Sequence, residues 1–154
     1  MRKQKEITSN VKSDDFTKAV SYSKRLLKQK LYHSKTLQMK LEARYTDRVV
    51  AKTLKYLENQ CFFDNELYIK KLKELCMKKY YGVRRFKKIL NEKGIYNKES
   101  YYTLEEEGCV LNDFLEHCMM KYSKLDVDDY IKKVTYLVKY KGFSSFNVNK
   151  FIEG

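Results

Sequence analysis

The residues best equipped for chemistry lie between Tyr80 and Gly94, in the run Tyr-Tyr-Gly-Val-Arg-Arg-Phe-Lys-Lys-Ile-Leu-Asn-Glu-Lys-Gly. With side chains about 100° apart on a helix, Val83, Phe86, Ile89 and Leu90 gather on one side. Arg84 and Lys88 then lie nearly opposite, flanked by Arg85 and Lys87. The expectation is an outward cationic ridge, extended by Lys78 and Lys79 before it and Lys93 after it, with Lys70 and Lys73 on the preceding helix and Lys132 and Lys139 further on. Such a ridge can track a phosphate backbone through counterion release and bidentate guanidinium contacts, with Tyr80 or Tyr81 available for stacking. It can equally meet an acidic protein groove, and a merely solvated face is the plain alternative. The candidate contact residues are Lys78, Lys79, Tyr81, Arg84, Arg85, Lys87, Lys88 and Lys93. Gly82 and Gly94 read as helix terminators reaching positive φ. A phosphate-gripping loop is not expected, because the GxxxxGK[ST] spacing is missing and no strand precedes it.

Other reactive constellations are absent from the sequence pattern. His117 and Cys118 are adjacent, so on a helix they point about 100° apart, and no Ser-His-Asp or Cys-His pair can be argued from spacing. The acid pairs Asp14-Asp15 and Asp128-Asp129 stand where helices should start, and capping explains them. Cys61, Cys76, Cys109 and Cys118 have no CxxC spacing and fit reduced, mostly buried thiols; with only His33 and His117 to add, no zinc site is expected. The reading is a protein without catalytic residues, metal or cofactor.

The elements that must position the ridge are helical. With no proline, 5 glycines and abundant Leu, Lys, Glu and Tyr, the chain lacks the punctuation of β-sandwiches and reads as all-α. Nine helices are expected. Asp14 or Asp15 caps one carrying Phe16, Ala19, Val20, Ser23, Leu27 and Leu31; Ser34 caps one with Leu37 and Leu41; Asp47 opens a third with Val50, Leu54 and Leu57. Asp64 opens a fourth with Tyr68, Leu72, Leu75 and Cys76 inward, ended by Gly82, and the ridge is the fifth. The sixth follows Asn97 with Tyr101, Tyr102 and Leu104 and ends at Gly108, which puts Glu105, Glu106 and Glu107 at the wrong end of its dipole. Asn112 caps a seventh with Leu115, Cys118, Met119 and Tyr122; Asp126 or Asp128 caps an eighth with Ile131, Val134, Leu137 and Val138. After Gly142, a ninth carries Val148, Phe151 and Ile152.

Within 154 residues, 43% are hydrophobic and 14% aromatic, enough to bury a core. The net charge of +13 is uneven: residues 1–98 carry 26 Lys+Arg against 10 Asp+Glu, residues 99–154 carry 7 against 10. The first part therefore looks polyanion-seeking. No apolar run is long enough for a membrane span and the N-terminus lacks the apolar centre of a signal peptide, so a cytoplasmic protein with no membrane partner is expected.

The helices fall into faint repeats. Phe86-x3-Leu90, Lys93-Gly94-Ile95, Ser100, Thr103 and Leu104 match Val134-x3-Val138, Lys141-Gly142-Phe143, Val148, Phe151 and Ile152 position by position. Leu37-x3-Leu41, Arg44-Tyr45, Val50, Thr53 and Leu54 form a looser copy, one residue short and without glycine. The expected organisation is a flexible basic tail over 1–13 and three tandem three-helix repeats over 14–62, 63–108 and 109–154, stacked into an elongated, curved array.

Tyr80 to Ile95 resembles the RecX family's Tyr-Gly-Pro-x-Arg-Ile element followed by Leu and Lys-Gly-Ile. Cys61-Phe62-Phe63-Asp64-Asn65-Glu66-Leu67-Tyr68 is similar to its Gly-Tyr-Leu-Asp-Asp-Glu-x-Phe element, and Tyr140-Lys141-Gly142-Phe143 to its C-terminal Arg-Gly-Phe or Arg-Gly-Tyr turn. Val83 replaces the family's proline and Cys61 its glycine, and His33-Ser34-Lys35-Thr36-Leu37 only loosely matches its Arg-Ser-x-x-Glu-Leu. The resemblance spans roughly residues 16–154. It implies three tandem three-helix repeats, no catalytic activity, and binding in the groove of the RecA filament on single-stranded DNA; a monomer is expected, with duplex DNA as an additional candidate partner. It also implies inhibition of filament growth, ATP hydrolysis, strand exchange and the co-protease activity of the SOS response, within homologous recombination and DNA repair. The alternative is a stand-alone, sequence-nonspecific nucleic-acid-binding helical repeat protein.

Overall fold

The computed structural model describes residues 11–96, 102–145 and 148. Among them are seven helices: α1 Phe16–Gln29, α2 Ser34–Glu42, α3 Asp47–Asn59, α4 Asn65–Lys78, α5 Val83–Glu92, α6 Leu104–Lys121 and α7 Val127–Lys141. The class is all-α, as the composition indicates. The expected tail lies outside the described residues as far as residue 10, as do Phe151 and Ile152 of the ninth expected helix and residues 97–101 of the sixth. No described helix is long and apolar enough to cross a membrane. The chain divides into two compact units, Met1–Asn65 and Glu66–Gly154.

In the first unit, Asp15 caps α1 by accepting the Lys18 N–H at 3.0 Å. That bond and the Lys18 charge hold its carboxyl below the usual aspartate pKa. Ahead of α1, Ser13 pairs in parallel with Tyr45: its N–H donates to Arg44 O at 2.9 Å and its carbonyl accepts from Thr46 N at 3.0 Å. Helix α2 corrects one expectation. Its cap is His33, whose Nδ1 accepts the Lys35 N–H at 3.1 Å, and not Ser34. Ser34 is occupied by Asn65, which accepts its N–H at 2.9 Å and donates to its hydroxyl at 3.0 Å, so a tertiary partner displaces the local cap. Ala19, Leu37, Leu41, Tyr45, Val49, Val50 and Leu57 form this unit's core.

The second unit holds two clusters. Ile69, Cys76, Phe86, Leu90, Ile95 and Tyr102 make one; Val110, Leu111, Phe114, Cys118, Val134, Val138, Phe143 and Val148 make the other; Met77 packs against both. Phe86 stacks on Tyr102 at 5.1 Å and Phe114 on Phe143 at 6.1 Å. The spaced sets Leu37/Leu41/Tyr45, Phe86/Leu90/Ile95 and Val134/Val138/Phe143 are all buried, each in a different cluster of the chain. Leu75, Met119 and Ile131, expected inward, are exposed: they lie at the edge of an apolar stripe whose centre alone meets a neighbour.

Helix α6 is the largest departure. It runs through Gly108, and Asn112 lies within it and caps nothing. Thr103 starts it with a capping box, its hydroxyl accepting the Glu106 N–H at 3.1 Å while Glu106 accepts the Thr103 N–H at 2.8 Å. Glu105, Glu106 and Glu107 therefore occupy the first turn, the favourable end of the dipole. An internal glycine costs about 1 kcal/mol, less than burial of Val110, Leu111 and Phe114 returns at about 1.5–3 kcal/mol for a large side chain. Lys73 Nζ lies 2.7 Å from Glu106, and this hydrogen bond is the main cause of that carboxyl's lowered pKa.

Candidate polyanion-binding surface

Helix α4 ends in a Schellman turn: Tyr80 has φ 54° and Tyr81 N donates to Cys76 O at 3.0 Å. The left-handed position thus belongs to Tyr80, not to Gly82. A non-glycine residue is tolerated there because its ring is held against Phe114 and His117, both at 5.5 Å. Gly82 is extended, with φ −77° and ψ 173°, and serves as the N-cap of α5. Its lack of a side chain has another cause. A Cβ there would sit 2.4 Å from Phe143 Cα and N and 2.5 Å from Gly142 O. Gly94, at φ 70°, is a positive-φ terminator as expected, and so is Gly142 at φ 81°.

Two backbone segments therefore cross in contact. Gly82 N donates to Lys141 O and Arg84 N to Gly142 O, both at 2.9 Å. Between them, Glu107 Oε1 accepts from Val83 N at 2.8 Å and from Ser144 N at 2.9 Å. Glu107 is 1% exposed. Its carboxylate occupies the place where an anion would bind the N-terminus of α5, so that end of the helix is internally satisfied. The basic face of α5 is thus fixed to the start of α6 and the end of α7.

Along α5, Phe86 and Leu90 are buried while Arg84, Lys87 and Lys88 are exposed, and Lys78 and Lys79 are exposed at the end of α4. Arg84 hydrogen-bonds Ser145 Oγ through Nη2. The other three candidates are less accessible. Lys93 is half-buried. Arg85 turns inward, its guanidinium 4.7 Å from the Tyr81 ring and 5.3 Å from that of Tyr140, with Nε buried and without a hydrogen-bond partner. Tyr81 also takes the Lys141 ammonium at 5.2 Å, so its face is spent on two cations. Lys141 donates to Lys79 O at 2.8 Å, and burial, with Arg85 nearby, lowers its pKa from the ordinary lysine value.

Glu107 and Ser145 escaped sequence reasoning, and Tyr140 and Lys141 entered it only within a repeat and a turn, not as contact residues. The spacing of Tyr136 and Tyr140 was a visible signal, whereas nothing local distinguishes Glu107 from the two glutamates before it. Cys76 and Cys118 are buried as expected, but Cys61 and Cys109 are exposed. Burial raises the pKa of both buried thiols, the opposite of nucleophile activation. No group of three or more His, Cys, Asp or Glu among the described residues is arranged to hold a metal.

No protein-family model matches this chain, and no curated protein matches it by sequence. Solved structures do match. Its fold is that of RecX from Lactobacillus salivarius, with a TM-score of 0.72 and 18% identity over 90% of this chain and 94% of that one. A second structure, described as regulatory protein RecX, gives 0.72 and 20% identity over 90% of this chain and 73% of that one.

Proposed function

We propose that this chain, which has the RecX fold, is a non-catalytic regulator of RecA that binds the RecA filament on single-stranded DNA and limits its growth. The observation that carries this reading is the RecX fold over 90% of the chain at low sequence identity. The Tyr80–Ile95 and Tyr140–Phe143 elements of the resemblance support it, because they meet at the Gly82–Phe143 crossing. The exposed cations Lys78, Lys79, Arg84, Lys87 and Lys88 supply the electrostatic term for a groove lined by acidic side chains or phosphate. Three tandem repeats belong to the same reading, as does suppression of ATP hydrolysis, strand exchange and co-protease activity.

RecA's DNA-dependent ATPase is the direct test. The purified protein is expected to lower that rate at amounts comparable to RecA or below, and to co-sediment with preformed filaments. Arg84→Glu/Lys88→Glu is expected to lose both effects while retaining helicity. An unchanged ATPase rate at saturating protein overturns the reading. The +16 excess over residues 1–98 favours a second reading, a nucleic-acid-binding module acting alone. It requires DNA binding that weakens steeply with salt and leaves RecA's ATPase untouched.

A further inference from the structure

Helix α7 carries two large rings that the core does not use. Tyr136 and Tyr140 are 63% and 57% exposed, one turn apart, with ring centroids 6.2 Å apart and planes within 15° of parallel. At one end Tyr140 is backed by the Arg85 guanidinium, itself stacked on Tyr81. At the other, Tyr136 forms one wall of an open depression of about 630 Å³, shared with Tyr122, Leu125, Asp129, Lys132 and Lys133. The result is a row of flat groups, Tyr81, Arg85, Tyr140 and Tyr136, leading into a hollow with an aromatic wall and two ammonium groups. One carboxylate, Asp129, also lines it, 3.9 Å from Lys132 at an exposed position, so the hollow remains net positive.

Flat, exposed π faces beside ammonium groups match one chemistry well: an unpaired nucleobase on its sugar-phosphate chain. The base stacks on a ring, and the phosphate on either side meets a lysine. A duplex conceals its base faces, so it can use the lysines but not the rings. We infer that Tyr136 and Tyr140, with Lys132 and Lys133, form a base-stacking platform for single-stranded nucleic acid, running from the Arg85 cluster into the hollow beside Tyr122. This deepens the regulator reading and rests on it only for the choice of ligand. It places bases on α7 and leaves the α5 cations for backbone or protein contacts.

Both rings are exposed on a helix, so alanine there removes the platform without opening the core. The test is fluorescence anisotropy with labelled oligothymidylate, an abasic deoxyribose-phosphate oligomer of equal length, and a duplex. Tyr136→Ala/Tyr140→Ala is expected to weaken oligothymidylate binding by about tenfold or more. The abasic oligomer, which has charge but no base, is expected to bind that variant within about twofold of wild type. Tyr136→Phe/Tyr140→Phe keeps the faces and retains binding, while Lys132→Gln/Lys133→Gln weakens both single-stranded probes. Wild-type affinity of the alanine pair for oligothymidylate, equal loss of the abasic oligomer, or wild-type preference for duplex each overturns the platform. RecA ATPase inhibition, measured separately, decides the regulator reading, so the two fail independently.

Discussion

Replacing Gly82 by alanine should separate the two backbone segments that fix the basic face. The new Cβ would lie 2.4 Å from Phe143 Cα and N and 2.5 Å from Gly142 O, all backbone atoms that no rotamer change can move. Ordinary carbon contact begins near 3.5 Å, so the segments must part by about 1 Å. That displacement carries the Gly82–Lys141 and Arg84–Gly142 bonds, both now 2.9 Å, out of hydrogen-bonding range. At about 1 kcal/mol for each of the two neutral bonds, and about 1.5–3 kcal/mol for strain on the charged acceptor Glu107, the expected loss is about 3.5–5 kcal/mol. Urea unfolding by circular dichroism measures it, and amide exchange at Val83, Arg84 and Ser144 localises it. Gly82→Ser is the discriminating partner. Serine is a better N-cap than glycine, so capping alone would make that variant more stable, whereas the close approach makes it as damaged as alanine. A loss within about 1 kcal/mol for Gly82→Ala, the scale of an N-cap effect, or a stabilised Gly82→Ser, would refute the reasoning.

Glu107→Ala leaves the Val83 and Ser144 N–H groups without their acceptor; an expected loss of about 3–5 kcal/mol, with faster exchange at those two amides, can be read by denaturation and NMR. His33 is 8% exposed and caps α2 through an unprotonated Nδ1, and burial followed by the Lys35 charge lowers its pKa below the ordinary 6.5. Its contribution is therefore present above pH 6.5 and lost as pH falls through the lowered value. His33→Asn, which caps without titrating, should flatten the stability profile below pH 6.5 in urea melts across pH. Glu106 should titrate below the usual glutamate value by NMR, and Lys73→Met should move it back up. Because Glu106 is more than a third exposed, the same substitution should cost no more than about 1 kcal/mol of stability.

The spacing of apolar residues was enough to place the buried centres of α2, α5 and α7, though not those of α4 and α6, where Ile69, Val110, Leu111 and Phe114 were missed. Phe86 and Leu90, Val134 and Val138, and Leu37 and Leu41 all lie inside, because a period of 3.6 specifies which face of a helix turns inward whatever it meets. Helix ends were less legible. Asp15 and Asp126 cap as their local chemistry requires, but Ser34 gave way to His33 once Asn65, distant in sequence, took the serine. Gly108 read as a terminator because glycine ends isolated helices; a capping box before it and a buried stripe after it carry α6 through.

The charge asymmetry, the all-α class and the outward position of Arg84 and Lys88 followed from composition and periodicity, since these depend on one segment at a time. Tertiary structure alone decided what Gly82 is for, why Glu107 is buried, and that Arg85 packs against Tyr140 instead of facing solvent. Each of these arises from groups 24 or more residues apart, Val83 with Glu107 or Gly82 with Phe143, brought to hydrogen-bonding or van der Waals distance. No local pattern encodes such a meeting, because its free energy exists only once both segments are already in place.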